Sequence, residues 1–201
     1  MPTFFVCFIV FIICVQVKMK RNARVSTWDQ AFWQKEKDAN FARKQDISDL
    51  EYLKVDLSLL PFQENASETV QDAQNDVRQT LQHPILNLNG MTNADIKLKY
   101  GLANFEHLSA CDQNYLKFIR TLDRWGSALY EDADYQNAAL VYEYALEIGS
   151  DISRTYTTLA TIYAETDQIE KVQKLIDRIR ESDSFMRDTI AEHLMQIIQK
   201  Y

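Results

Sequence analysis

The side chains of this 201-residue chain best suited to metal binding or nucleophilic chemistry are its three histidines and three cysteines. A metal site needs several such ligands, or carboxylates, at short helical or loop spacing. His83 precedes a proline, His107 falls on a short predicted helix, and His193 falls on a predicted terminal helix at a position facing its neighbours. None has a Cys, His or carboxylate at ligand spacing in the sequence, and Cys111 has no sequence-local base. Four glycines leave no Gly-rich phosphate loop, and there is no Gly-x-Ser-x-Gly elbow. The many carboxylates read as solvated helix faces. The sequence therefore points away from catalysis: no catalytic, cofactor-binding or metal-binding residue is assigned, and no small-molecule substrate or cofactor is expected. A hydrolase or transferase with an unrecognised site is the remote alternative.

The chemistry that remains is that of recognition, and it depends on the elements presenting it. Only four Gly and three Pro occur, against 46% apolar and 25% charged residues. That shortage of turn formers excludes collagen-like, linker-like and turn-rich all-β chains. Three cysteines cannot build a disulfide framework. The net charge of −7 argues against bulk nucleic-acid binding.

The second half repeats with a period of thirty-four. Leu122 aligns with Tyr156, Trp125 with Leu159, Gly126 with Ala160 and Leu129 with Tyr163; then Tyr135 with Ile169, Ala138 with Val172, Tyr142 with Ile176 and Ala145 with Ile179. Ile190, Leu194 and Ile197 continue the register. Within a unit the first helix presents an i, i+3, i+4, i+7 stripe in which Gly126 and Ala160 form a notch for close approach of the second helix. No such unit buries its stripe alone, so copies stack into a superhelix. Asp132-Ala133-Asp134 and Glu165-Thr166-Asp167 supply the turns.

These residues resemble the tetratricopeptide repeat family over about residues 119–200. Ala133 and Asp167 stand where that family carries a turn glycine, and Ser150 and Ser184 where it carries a proline. The resemblance implies a groove lined by the first helix of each unit. By register the groove residues are Arg120, Asp123, Ser127, Tyr130, Glu131, Arg154, Thr157, Thr158, Thr161 and Glu165. Members that clamp a terminal carboxylate use Lys and Asn at positions held here by Asp123, Ser127, Thr157 and Thr161. Together with the apolar N-terminus, the blocks Asp46-Ile47-Ser48 and Thr92-Asn93-Ala94-Asp95 are similar to a group of bacterial membrane-anchored repeat proteins with no known activity.

Eleven of the fourteen residues from Phe4 to Val17 are Phe, Val or Ile. A helix from Met1 would rise about 26 Å, slightly less than a hydrocarbon core. Its apolar residues contribute about −3 to −7 kcal/mol to insertion as an upper bound. No basic residue precedes Lys18 and no Ala-x-Ala pattern follows the run, so a retained anchor is expected over a cleaved signal. Residues 18–44 carry eight Lys and Arg against three Asp and Glu, a net of +5, and residues 45–201 carry fourteen against twenty-six, a net of −12. The basic collar directs the C-terminal domain to the cytoplasm.

The expected fold is all-α: an N-terminal transmembrane helix followed by an α-solenoid of antiparallel helix pairs with a capping helix. Its parts are the anchor (1–20), a basic juxtamembrane helix (21–44), a partly extended and polar helical region (45–92), an irregular helical cap (93–118), repeats over 119–152 and 153–186, and a closing helix over 187–201. Leu53, Val55, Leu57 and Leu59 alternate with polar residues and predict an extended strip; Val70, Ala73, Val77 and Leu81 predict one face of a polar helix; Asp112 is expected to cap the helix running through Trp125. The function expected is a single-pass membrane scaffold or recruiter that holds a protein or peptide segment in its groove, with the bilayer engaged through residues 1–20. The alternative is a permanent structural subunit of a membrane complex.

Overall fold

The computed structural model describes the backbone of residues 2–201 and the side chains of residues 7–18 and 28–201. Among the described residues the chain is helical, without strands. The helices are α1 (Pro2–Asn40), α2 (Glu68–Thr80), α3 (Asn93–Tyr100), α4 (Leu102–Glu131), α5 (Tyr135–Glu147), α6 (Ser153–Glu165), α7 (Ile169–Glu181) and α8 (Arg187–Lys200). They form two units, one of Met1–Asp49 with Met91–His107, the other of Leu50–Gly90 with Leu108–Tyr201.

In the first unit α1 runs 39 residues without interruption, because no Gly or Pro lies between Pro2 and Pro61. The side chains from Phe8 to Val17 are exposed around the helix. Among the described residues no helix is long and apolar enough to cross a membrane. The span expected over 1–20 rests in part on residues 1–6 and 19–20, and the collar in part on 21–27; these side chains lie outside the described residues. Helix α3 is fastened to α1 by Lys35 and Asp95, 2.8 Å apart. It starts in a capping box: Thr92 accepts the Asp95 N–H, and the Asp95 carboxylate accepts the Thr92 N–H at 3.0 Å. Lysine and threonine together hold the Asp95 carboxyl down at about 2. At Gly101 (φ +88°) a Cβ would stand 2.4 Å from the Arg43 carbonyl oxygen, so only glycine fits this break. The interruption expected at Tyr100-Gly101 is this single residue. Asp112 does not cap α4, which begins ten residues earlier; its carboxylate accepts the Leu88 N–H at 3.0 Å instead.

The second unit holds the repeats. Helix α5 (Tyr135–Glu147) recurs as α7 (Ile169–Glu181), and α6 (Ser153–Glu165) as the start of α8 (Arg187–Lys200), each shifted by thirty-four; α4 and α6 end at Glu131 and Glu165. The turns repeat in their backbone. Ala133 and Asp167 both take positive φ (60° and 57°). The Asp134 N–H reaches the Leu129 carbonyl at 2.9 Å, and the Gln168 N–H reaches that of Tyr163 at 2.7 Å. Each hairpin thus ends its first helix in a left-handed residue that satisfies the last carbonyls. Helix α8 packs on α6 and α7 and closes a solenoid-like stack.

Trp125, Leu122, Leu129, Ala138, Tyr142, Ala145, Leu159, Ala160, Tyr156, Tyr163, Val172 and Ile176 are buried in one core. One aligned pair of the repeat lies outside that core: Tyr135 is 42% exposed and Ile169 half-buried. They open α5 and α7, one turn short of the helix contact. Gly126 is the notch. A Cβ there would sit 2.6–2.9 Å from three atoms of the Tyr142 ring.

The strip beginning at Leu50 packs on the first hairpin without a partner strand. The Leu53 N–H donates to the Ile85 carbonyl at 2.9 Å, and Leu53 and Val55 lie against the core. Leu57 and Leu59 are exposed, contrary to the alternating pattern, because Asp56 accepts both the N–H and the hydroxyl of Ser58 and folds residues 57–59 into a 3₁₀ turn. Phe62 stacks on Trp125 with ring centroids 4.7 Å apart, and Gln63 exchanges two hydrogen bonds with buried Gln74 of α2. Val70, Ala73 and Val77 are buried as the α2 pattern predicts, while Leu81 is the half-buried C-cap.

Candidate functional site

The groove residues expected by register lie on α4 and α6, and the structure joins four of them, Asp123, Arg154, Thr157 and Thr161. Asp123 is buried; its Oδ2 accepts Nε–H of Arg154 at 2.9 Å and a further bond from the same guanidinium, while its Oδ1 accepts the Thr155 hydroxyl at 2.9 Å. Asp123 holds Arg154 above its already high pKa. Ser127 lies 3.2 Å from the Tyr142 hydroxyl, whose pKa is raised by burial. Thr157 donates to the Arg154 carbonyl and Thr161 to that of Thr157, so both hydroxyls bond within their own helix. At the far end Glu165 accepts the Tyr201 hydroxyl at 3.2 Å, and Tyr130 packs its ring 5.1 Å from Tyr135. Thr158 is half-buried and Glu131 is exposed.

Arg120 is set apart from this row. It lines a depression of about 630 Å3 with Gln113, Leu116, Lys117, Thr121 and Arg124 of α4 and Asp76 of α2. The register placed it with Asp123, but Asp123 turns to α6 while Arg120 lies over the depression beside α2.

Two features escaped the sequence reading. Thr155 completes the grip on Asp123; its position beside Arg154 was the available signal. A second hollow, of about 670 Å3, runs along the outer side of α5 past Tyr135, Leu140, Glu143, Tyr163 and Lys171. In it the Tyr163 hydroxyl donates to Glu143, Lys171 lies 4.7 Å over the Tyr163 ring, and burial and the adjacent carboxylate push the Tyr163 phenol strongly up. These partners come from three helices, which no local spacing encodes.

His83, His107 and His193 are exposed and widely separated in sequence; His193, expected to face the stack, points outward. Cys111 is buried, and burial raises its thiol pKa. Among the described residues no group of three or more His, Cys, Asp or Glu is arranged to hold a metal ion. No family model matches the chain, and neither a curated protein nor a solved structure matches it.

Proposed function

We propose that this protein is a noncatalytic, tetratricopeptide-like scaffold tethered to a membrane, whose repeat unit holds a segment of another protein. The observation that carries the reading is the thirty-four-residue recurrence of helix bounds and turn geometry. Stacked hairpins present one side of every first helix in a row, a surface suited to an extended or helical segment. The tether is supported by the large apolar side chains of α1 between Phe8 and Val17, exposed on all sides, a cost to solubility that a bilayer removes. The N-terminal anchor and cytoplasmic repeats follow from the basic residues after Val17. Tethering raises the local concentration of the repeats, and the groove supplies selectivity.

A structural-subunit reading has its own support. Trp28, Phe32, Trp33 and Phe41 are exposed, Trp28 by 79%, and such rings suit permanent burial against another membrane protein. Crosslinking in intact membranes followed by pulldown in high salt separates the two: substoichiometric, variable partners support recruitment, and one stoichiometric, salt-resistant partner supports the subunit. Alkaline carbonate extraction tests the tether. The protein is expected in the membrane pellet, and an Ile9→Lys/Ile12→Lys double variant in the supernatant; a soluble parent protein refutes it.

A further inference from the structure

The repeat relates two places on the second unit that differ only in what they hold. Arg154 and Thr155 of α6 grip the Asp123 carboxylate of the preceding first helix. Thirty-four residues earlier, α4 carries Arg120 and Thr121, the same two residue types in the same order at the same register. The face of α4 that bears them matches the face of α6 against which α4 packs. Helix α2 borders it through Asp76 and leaves a depression of about 630 Å3 in front of Lys117 and Arg120. Lys117 and Arg120 have no ion pair or side-chain hydrogen bond among the described residues, and the Thr121 hydroxyl turns back to the Phe118 carbonyl at 2.8 Å.

We infer that Arg120, with Lys117 beside it and buried Thr121 beneath, forms a second carboxylate site, and that the depression takes an acidic helix from a partner protein, laid on α4 as α4 lies on α6. Charge supports this occupant. Residues 45–201 carry a net of −12, yet this depression gathers Lys117, Arg120 and Arg124 around the single carboxylate of Asp76. The cations stand at i, i+3 and i+7, along one side of the helix. Asp76 already pairs with Arg124 at 2.7 Å, so the wall accepts a carboxylate at one end while its other two cations stand open. A nucleic acid or an anionic bilayer would meet the repulsion of the whole acidic unit. A short helix with one or two carboxylates meets only the local field, and Leu116 offers it an apolar contact. The inference does not depend on the role proposed for the inner face.

The test is fluorescence anisotropy of the full chain with a labelled helical peptide bearing one Asp flanked by Leu on adjacent turns, and with its Asn twin. The Asp peptide is expected to bind saturably, weaken with salt, and lose about tenfold in affinity when Asp becomes Asn or Arg120 becomes Ala. In Arg120→Ala the difference between the two peptides is expected to vanish. Lys174→Ala, an exposed cation elsewhere, should leave binding unchanged. Arg120 is exposed, and an unchanged urea midpoint for Arg120→Ala and Arg120→Lys establishes that their folds are intact. Equal binding of both peptides, equal binding by Arg120→Ala, or no saturable binding overturns the inference. So does an Arg120-dependent association with phosphatidylserine vesicles, or of the chain with itself, in place of peptide binding.

Discussion

Replacing Gly126 by alanine tests whether the notch is set by its partner ring. Glycine in a helix interior is disfavoured relative to alanine by about 1 kcal/mol, so on a free surface the change would stabilise. Here the new Cβ would stand 2.6 Å from Tyr142 Cε1 and 2.7 Å from Cζ, about 1 Å inside normal carbon contact. Tyr142 is fully buried, so its ring has no solvent to swing into. Overpacking of this kind costs about 1–3 kcal/mol. The net expectation for Gly126→Ala is a loss of about 1 kcal/mol. The next unit resolves the same contact differently: by register, Ala160 pairs with Ile176. Transplanting that pair gives a double-mutant cycle. In a Tyr142→Ile background Gly126→Ala should gain about 1 kcal/mol, a coupling near 2 kcal/mol. Urea denaturation of the full chain followed by far-UV circular dichroism reads it. Additive effects, or a Gly126→Ala variant more stable than the parent protein, would refute the notch as the contact that spaces the helices.

Trp125→Ala should cost about 3–5 kcal/mol by urea denaturation, since the indole is fully buried and carries Phe62 on its face. Ala133→Gly should stabilise by about 1 kcal/mol because it relieves a left-handed alanine, and Asp167→Gly should gain less because Asp tolerates that region. The fold should be lost in alkali. Burial pushes the Tyr115 phenol up to about 12 and raises Tyr142, Tyr144 and Tyr156 as well. A raised folded pKa means stability fully present below about 10, the unfolded value, and lost as pH climbs through 12. The phenolate absorbance of the buried tyrosines, isolated by comparison with a Tyr135→Phe/Tyr201→Phe variant, should therefore rise together with the loss of far-UV dichroism above pH ~10; buried phenolates appearing well before the helices melt would contradict this burial.

The parts of this fold legible in sequence are those that local physics decides. The notch, the stripe of Leu122, Trp125 and Leu129, and the cap at Thr92 follow from residue size, spacing and hydrogen-bonding type within one or two turns. The helix around Asp112 was misjudged at its start, since nothing between Leu102 and Asp112 breaks a helix and the carboxylate was claimed by a distant backbone N–H. Leu57 and Leu59 were misjudged because one Asp side chain outweighed a period of two. Of the groove residues, register found the faces of α4 and α6 and missed their uses. Whether Asp123 is free or spent depends on Arg154 and Thr155, about thirty residues away, and only the packed structure brings them within 3 Å.

The same register distinguishes α8 from the first helices before it. A further hairpin needs a small residue on the last first-helix for its second helix to approach. At that position, after Gly126 and Ala160, the chain places Leu194, and where Trp125 and Leu159 stood it places His193. The leucine is fully buried and the histidine exposed, because α8 packs inward on α6 and α7. A large side chain in the notch leaves no room for the close approach that Gly126 gives Tyr142, and Glu192, Gln196 and Gln199 turn to solvent. At α4 the opposite holds: Arg120 and Thr121 keep the pair that grips a preceding first helix one unit later, with no carboxylate of this unit in their grasp. Leu194 fills the notch position of α8, while α4 keeps Arg120 exposed at the register position where Arg154 holds Asp123.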